Sequence, residues 1–283
     1  MKFTKMHGAG NDYIYIDARQ MDEDWPALSR AMSNRHFGIG GDGIILVLDS
    51  DMADLRMRMF NADGSEGEMC GNGIRCFAKY AIERNIARPG ESGLSVETLA
   101  GIRTIVPRME GESVVSARVA MGEPRFDPAE VPVVLERAPE RTIGAAVLNY
   151  PVDIDGSHLN LSFVSMGNPH AVAFIDQSVE EYHLHNIGPQ VEHHPMFPRR
   201  VNFEIVNLID PGHAKVRVWE RGSGETMACG SGASAVAAIA RLMGKGGDRI
   251  DITLPGGTLS IEWDGAGEVF MEGPAEEVFS GEW

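Results

Sequence analysis

Two of the three cysteines in this 283-residue chain open the same tetrapeptide, Cys-Gly-x-Gly, once in each half: Cys70-Gly71-Asn72-Gly73 and Cys229-Gly230-Ser231-Gly232. With glycine at 33 of 283 positions, a given cysteine is followed by Gly-x-Gly about once in 70 on composition alone. Two occurrences among three cysteines therefore mark a repeated device. Each copy precedes an apolar run with helical character, Ile74 to Ile82 and Ala233 to Ala240. A thiol just before a helix lies in the positive field of the helix start, which, where local charge cooperates, lowers it from about 8.5 into roughly 3.5 to 7.5. The glycines remove Cβ atoms, so a ligand can reach the amides of the first turn, as anion sites at helix starts require. A carboxylate bound there sits beside the sulfur.

A pair of such sites predicts one kind of reaction. If both helix starts face one cleft and share that carboxylate, the two sulfurs flank its α-carbon. Two like charges so close resist simultaneous ionisation, so the pair holds one proton, with one thiolate as base and one thiol as acid. Taking a proton from one face and returning another to the opposite face inverts the stereocentre, while the amides stabilise the charge that builds on the carboxylate. The chemistry calls for no cofactor, and nothing suggests a pyridoxal lysine. The one tempting metal pair, His193-His194, reads as solvated loop residues. A reversible disulfide between Cys70 and Cys229 is the alternative use of two facing thiols. Cys76, whose counterpart is Ala235, reads as packing.

The elements that must position these thiols repeat as well. With an offset of 159, Phe60 falls on Trp219, Asn61 on Glu220, Glu66 on Glu225 and Ala78 on Ala237. That period is too long for a solenoid and suits a duplicated domain. Alternating short strands are expected over 3–6, 13–16, 44–48, 55–60, 94–97, 104–107 and 114–121, then 145–152, 159–166, 171–175, 200–208, 213–219, 250–254, 258–263 and 268–271. Helical spacing marks 25–34, and one apolar helix per half follows each Cys-Gly-x-Gly. Helices apolar nearly all round are enclosed by their domains, so the fold class is α+β. Gly38-Ile39-Gly40-Gly41-Asp42-Gly43 matches G-x-G-x-x-G literally, but a strand follows where a dinucleotide site needs a helix.

Composition narrows the partners. A net charge of −16 disfavours nucleic acid and anionic membranes, and leaves a small zwitterionic substrate compatible. The longest apolar run is too short to span a bilayer and the first residues lack a signal-peptide core, so a cytoplasmic protein with reduced thiols is expected.

Several segments carry a family resemblance: Phe60-Asn61-Ala62-Asp63-Gly64-Ser65, Met69 to Arg75 around Cys70, Trp219 to Thr226, Ala228 to Gly232, the opening Lys5 to Asp12, and Met166-Gly167-Asn168-Pro169-His170. Together they resemble diaminopimelate epimerase from near residue 3 to near residue 280. The resemblance implies cofactor-independent interconversion of LL- and meso-2,6-diaminopimelate, in lysine and peptidoglycan precursor synthesis, by a homodimer. It implies two pseudo-symmetric domains, each a partly open barrel-like sheet around its central helix: 1–121 with the strand 272–283 returning to it, and 122–271. By the same resemblance Cys70 and Cys229 are the acid–base pair, tuned by His170 and Glu220. Gly71, Asn72, Gly230 and Ser231 hold the reacting carboxylate, and Asn11, Asn61, Asn168, Asn202, Glu220 and Arg221 hold the rest of the substrate. A guanidinium fork at Arg221 suits the distal carboxylate. Gly43 stands where many members carry Gln, leaving one contact of that pattern without its side chain.

Overall fold

A computed structural model describes residues 1–283. In chain order the elements are β1 (Lys2–Gly8), β2 (Asn11–Asp17), α1 (Trp25–Met32), β3 (Gly43–Leu48), β4 (Leu55–Asn61), β5 (Glu66–Gly67), α2 (Gly71–Glu83), β6 (Leu94–Thr98), β7 (Gly101–Glu110) and β8 (Ser113–Gly122). There follow β9 (Thr142–Ile143), β10 (Ala146–Val147), β11 (Tyr150–Ile154), β12 (Ser157–Ser165), β13 (Pro169–Phe174), α3 (Leu184–Glu192), β14 (Asn202–Asp210), β15 (His213–Glu220) and β16 (Gly224–Thr226). The last are α4 (Gly230–Leu242), β17 (Arg249–Leu254), β18 (Gly257–Glu262), β19 (Val269–Pro274) and β20 (Glu276–Glu282). Contacts divide the chain into one unit of Met1–Ala120 with Glu272–Trp283 and a second of Met121–Met271.

In the first unit β20 and β1 pair antiparallel, β1 and β2 antiparallel, β2 and β3 parallel, and β3 and β4 antiparallel. Strand β4 hairpins onto β5 and runs parallel to β6, and β6–β7–β8 continue antiparallel. The second unit repeats these senses: β11–β12–β13 antiparallel, β13–β14 parallel, β14–β15 antiparallel, β15 hairpinned onto β16 and parallel to β17, then β18 antiparallel. The register matches residue for residue. Tyr13 pairs with Gly43 as His170 pairs with Asn202, and Ile44 opposes Phe60 as Phe203 opposes Trp219.

Each sheet wraps its central helix. Helix α2 packs on β1, β2, β3 and β7, and α4 on β12, β13, β14, β17 and β18. In α4 the alanines supply both helix propensity and the small side chains that let strands close on every side, and 232–240 are buried without exception. The cationic side chains of α2, Arg75 and Lys79, are buried too. Arg75 is fully enclosed, and Lys79 Nζ is spent on Glu83 (2.7 Å), Ser113 (3.1 Å) and the Val114 carbonyl (2.8 Å).

Three local expectations change, and the glycine-rich stretch gains a specific role. Helix α3 lies where sequence gives no helical signal, because Gly188 and Pro189 interrupt it. A Cβ on Gly188 would fall 2.5 Å from the Trp219 ring, so close packing requires glycine there. His193 caps the end of α3, its Nδ1 2.9 Å from the Pro189 carbonyl, instead of sitting in a loop. The run 145–152 is split by Asn149 at φ 53° into β10 and β11. The glycine-rich stretch 38–41 turns its amides back onto the end of α1, to Asn34, Met32 and Ser33 carbonyls at 2.8–3.1 Å. Those donors close a helix C-terminus.

Candidate active site

Both thiols sit at the same place in their units. Cys70 and Cys229 are the N-cap residues of α2 and α4, with extended φ/ψ of −124°/118° and −119°/111°. Each Sγ accepts the amide of the third helical residue, Gly73 N at 3.4 Å and Gly232 N at 3.3 Å. The sulfur thus takes the place of a Ser or Asp oxygen in an N-cap, and one of the helix's orphan donors is satisfied by the thiol itself.

Around Cys70 the structure gathers Asn11, Asn72 and Gly71. Asn72 Nδ2 donates to Asn11 Oδ1 at 2.6 Å, and Asn11 Nδ2 donates to Asp42 Oδ2 at 3.0 Å. Asp42 also accepts Asp12 N and Arg35, and Arg35 and Lys5 both pair with Asp12. Burial pushes the Asp12 carboxyl up, but these two cations outweigh it and hold it below its usual value. Beneath the first turn lies Arg75, whose Nη1 donates to the Gly71 carbonyl at 3.1 Å and whose Nε donates to Pro274 O at 3.2 Å. Asn61 stands at the end of β4 opposite Gly43, its Nδ2 on Ser65 Oγ at 3.0 Å. A Cβ on Gly43 would fall 2.1 Å from the Phe60 carbonyl, so β4 excludes any side chain at that position.

Around Cys229 the structure gathers Ser231, Asn168, His170 and Glu220. Ser231 Oγ is 3.5 Å from Cys229 Sγ and accepts Asn168 Nδ2 at 3.3 Å. Asn168 Oδ1 faces His170 Nε2 at 2.9 Å, and His170 Nδ1 faces Glu204 Oε1 at 2.7 Å. Both His170 nitrogens therefore meet oxygen acceptors, and His170 and Glu204 are completely buried. Glu220 Oε1 accepts Thr226 Oγ1 at 2.5 Å. Burial, then its neighbour Glu204, raises the Glu220 carboxyl against that bond.

Asn11 and Asn168 occupy matching places but point their amides in opposite senses. Asn11 is anchored by an acceptor, Asp42, so its carbonyl faces Asn72. Asn168 is anchored by the donor Nε2 of His170, so its NH2 faces Ser231. With one lone pair so filled, the Ser231 hydroxyl can either accept from the Cys229 thiol or donate to its thiolate.

The charges beneath the two first turns are also opposite. Arg75 underlies the Cys70 turn, whereas Glu204 underlies the Cys229 turn, 2.8 Å from where a Cβ on Gly232 would lie. Burial, then Glu220 and Glu204, pushes the Cys229 thiol well above its usual value, and the bonds from Ser231 and Gly232 only partly oppose this. The lowering expected from the helix start is thus overridden at Cys229. Carboxylates and desolvation outweigh a half-charge dipole.

Asn202 and Arg221 meet at the turn after β15. Asn202 is committed to backbone: its Nδ2 donates to Pro169 O and its Oδ1 accepts Arg221 N, both at 2.9 Å. Gly230 packs under Met271 and Met121. Sequence reading missed Glu204, Arg75, Asp42 and Glu192. A charged residue within the buried stretch Asn202–Val206 was the available signal for Glu204. His193 and His194 take no part, and Cys76 is a buried thiol pushed up to about 11 by burial.

Residues 3–126 and 162–278 match the family described as Diaminopimelate epimerase. A protein of that name from Methanococcus maripaludis (strain C6) is 48% identical over 100% of this chain and 99% of its own length. One from Desulfovibrio desulfuricans is 47% identical over 100% and 98%. Among solved structures, a PhzF-family phenazine biosynthesis protein of Bacillus anthracis superposes with a TM-score of 0.67 at 18% identity, covering 99% of this chain and 98% of that one. That likeness establishes the shared fold of two pseudo-symmetric domains.

Proposed function

Since this chain belongs to the diaminopimelate epimerase family and is an isomerase, we propose that it interconverts LL- and meso-2,6-diaminopimelate with Cys70 and Cys229 as acid and base. The observation that carries the reading is the repeated N-cap thiol, found in a chain that matches named epimerases over its whole length.

Inversion needs an acceptor on one face of the α-carbon and a donor on the other. Cys229, raised by burial and by two carboxylates, suits the role of thiol in the resting pair. Cys70, with the Arg75 guanidinium beneath its turn, suits that of thiolate. When Cys229 must ionise in the reverse direction, the Ser231 hydroxyl at 3.5 Å supplies the hydrogen bond that makes it accessible. The first-turn amides of α2 and α4 receive the reacting carboxylate, whose charge grows as the α-proton leaves. Asn11, Asn61, Asn168 and Asn202 shape the polar surroundings, and Arg221 takes the distal carboxylate. His170 and Glu220 set the protonation of Cys229. We further propose a cytoplasmic homodimer; no helix is long and apolar enough to cross a membrane.

Proton NMR of LL-diaminopimelate in heavy water tests the reading. Loss of intensity from the α-proton signal with appearance of the meso isomer is expected. Cys70→Ala and Cys229→Ala should each abolish inversion while still binding substrate measurably. Retained inversion in either variant refutes the two-thiol mechanism, and turnover with peroxide in place of exchange moves the thiols to redox chemistry.

A further inference from the structure

The turn that carries Arg221 is held from two sides by groups outside it. On one side Arg221 N donates to Asn202 Oδ1 at 2.9 Å. On the other Gly222 N donates to Glu192 Oε1 at 2.9 Å, while Trp219 Nε1 donates to Glu192 Oε2 at 2.8 Å. One carboxylate thus holds the backbone amide just after Arg221 and the indole of Trp219, two residues before it. Glu192 is the last residue of α3 and only 4% exposed. Arg200 lies 3.5 Å away and His193 4.0 Å. Burial pushes its carboxyl up, but the two donors and the neighbouring His193 and Arg200 hold it below the usual range, so it is ionised at neutral pH.

The other half shows that the fold does not need this device. With the same offset of 159, Ser33 stands in place of Glu192 and Ala62 in place of Arg221. There α1 braces the matching turn with Ser29 Oγ, which contacts the Phe60 and Asn61 carbonyls at 3.1 and 2.7 Å. Burying a carboxylate is costly unless its oxygens are well used. The half that bears it is the half whose turn presents a guanidinium. We propose that Glu192 is a positioning residue that, by holding the Gly222 amide and the Trp219 indole, fixes the turn carrying Arg221 and so aims the guanidinium at the distal carboxylate of the substrate. The proposal rests on the role given to Arg221 above.

Steady-state kinetics of Glu192→Gln, Arg221→Ala and the double variant with LL-diaminopimelate test it. An amide has one acceptor oxygen, so either Trp219 Nε1 or Gly222 N loses its partner. Since a hydrogen bond to a charged group is at stake, KM is expected to rise about tenfold with kcat little changed. The sign discriminates. Removing a negative charge near Arg221 would by itself favour an anionic group and lower KM, so a rise reports lost geometry. In the Arg221→Ala background Glu192→Gln should add nothing to KM. An unchanged or lowered KM in Glu192→Gln, or an equal effect with and without Arg221, overturns the proposal. An unchanged KM in Arg221→Ala alone overturns the assignment of Arg221, and the proposal with it. Should Glu192→Gln fail to fold, Trp219→Phe removes one strut and keeps the carboxylate. It too should raise KM, and an unchanged KM would refute the positioning role.

Discussion

The third residue of each cysteine-capped helix offers a quantitative contrast, because the same Gly→Ala change meets different neighbours in the two halves. At Gly232 a new Cβ would lie 2.8 Å from Glu204 Oε1 and 3.3 Å from both Cβ and Sγ of Cys229. Glu204 cannot give way cheaply, since Oε1 is tied to His170 Nδ1 at 2.7 Å and both side chains are wholly buried. Either that bond or the Sγ cap on Gly232 N must stretch. Losing a hydrogen bond to a charged group costs about 1.5–3 kcal/mol, and the helix propensity of alanine returns about 0.8–1. A net loss of roughly 1–2 kcal/mol lowers the melting temperature by about 2–8 °C for a domain of this size. At Gly73 the Cβ meets the Cδ1 methyl of Ile45 at 2.7 Å, with Cys70 Sγ at 3.7 Å. A methyl at the end of a flexible chain can rotate away, so propensity and overpacking nearly cancel and the melting temperature should stay within about 2 °C. Calorimetry of the two variants with α-proton exchange in heavy water decides the matter. Gly232→Ala should also lose about tenfold or more in exchange rate, because a misplaced sulfur weakens catalysis steeply. Equal melting temperatures for the two variants would refute the claim that Glu204 is locked beneath the Cys229 turn.

Two further outcomes follow from the electrostatics. In a Cys70→Ser, Cys76→Ala background the thiolate absorbance of Cys229 should rise only above the ordinary thiol range, and Glu220→Gln should bring it down; ionisation of Cys229 near neutral pH would contradict its carboxylate surroundings. Asp12 is held below its usual value in the folded chain, so its share of stability is complete above the unfolded value of about 3.9 and is lost as pH falls through the folded one. Urea midpoints measured from neutral to acid pH should show this loss in the native chain and a shallower acid limb in Asp12→Asn.

The two cysteine-capped helices and most strands were legible because their signals are local. Cys-Gly-x-Gly and an alanine-rich run announce an N-cap and an enclosed helix, and alternation in segments such as Leu55–Asn61 announces a half-buried strand. Helix α3 was hidden by Gly188 and Pro189, whose local cost is overridden by packing against Trp219. The charges that distinguish the two thiols were hidden for another reason. Glu204 acts on Cys229 from 25 residues away in the chain, and its neighbour His170 sits on the adjoining strand β13. A helix-start argument sees only the dipole, which is the weaker field at that sulfur.

The pairing of β20 with β1 bears on how the chain is made. Strand β20 fills beside β1 the place that β11 fills beside β12, yet β11 immediately precedes its partner while β20 follows its own by almost the whole chain. During synthesis the second unit has all its strands before the first does, and β1 waits beside an open edge for roughly 15–50 s at ordinary elongation rates. Such an edge invites pairing with another nascent chain. The charges of Lys2 and Lys5 on β1 stand where a vacant strand needs protection from its neighbours on the polysome.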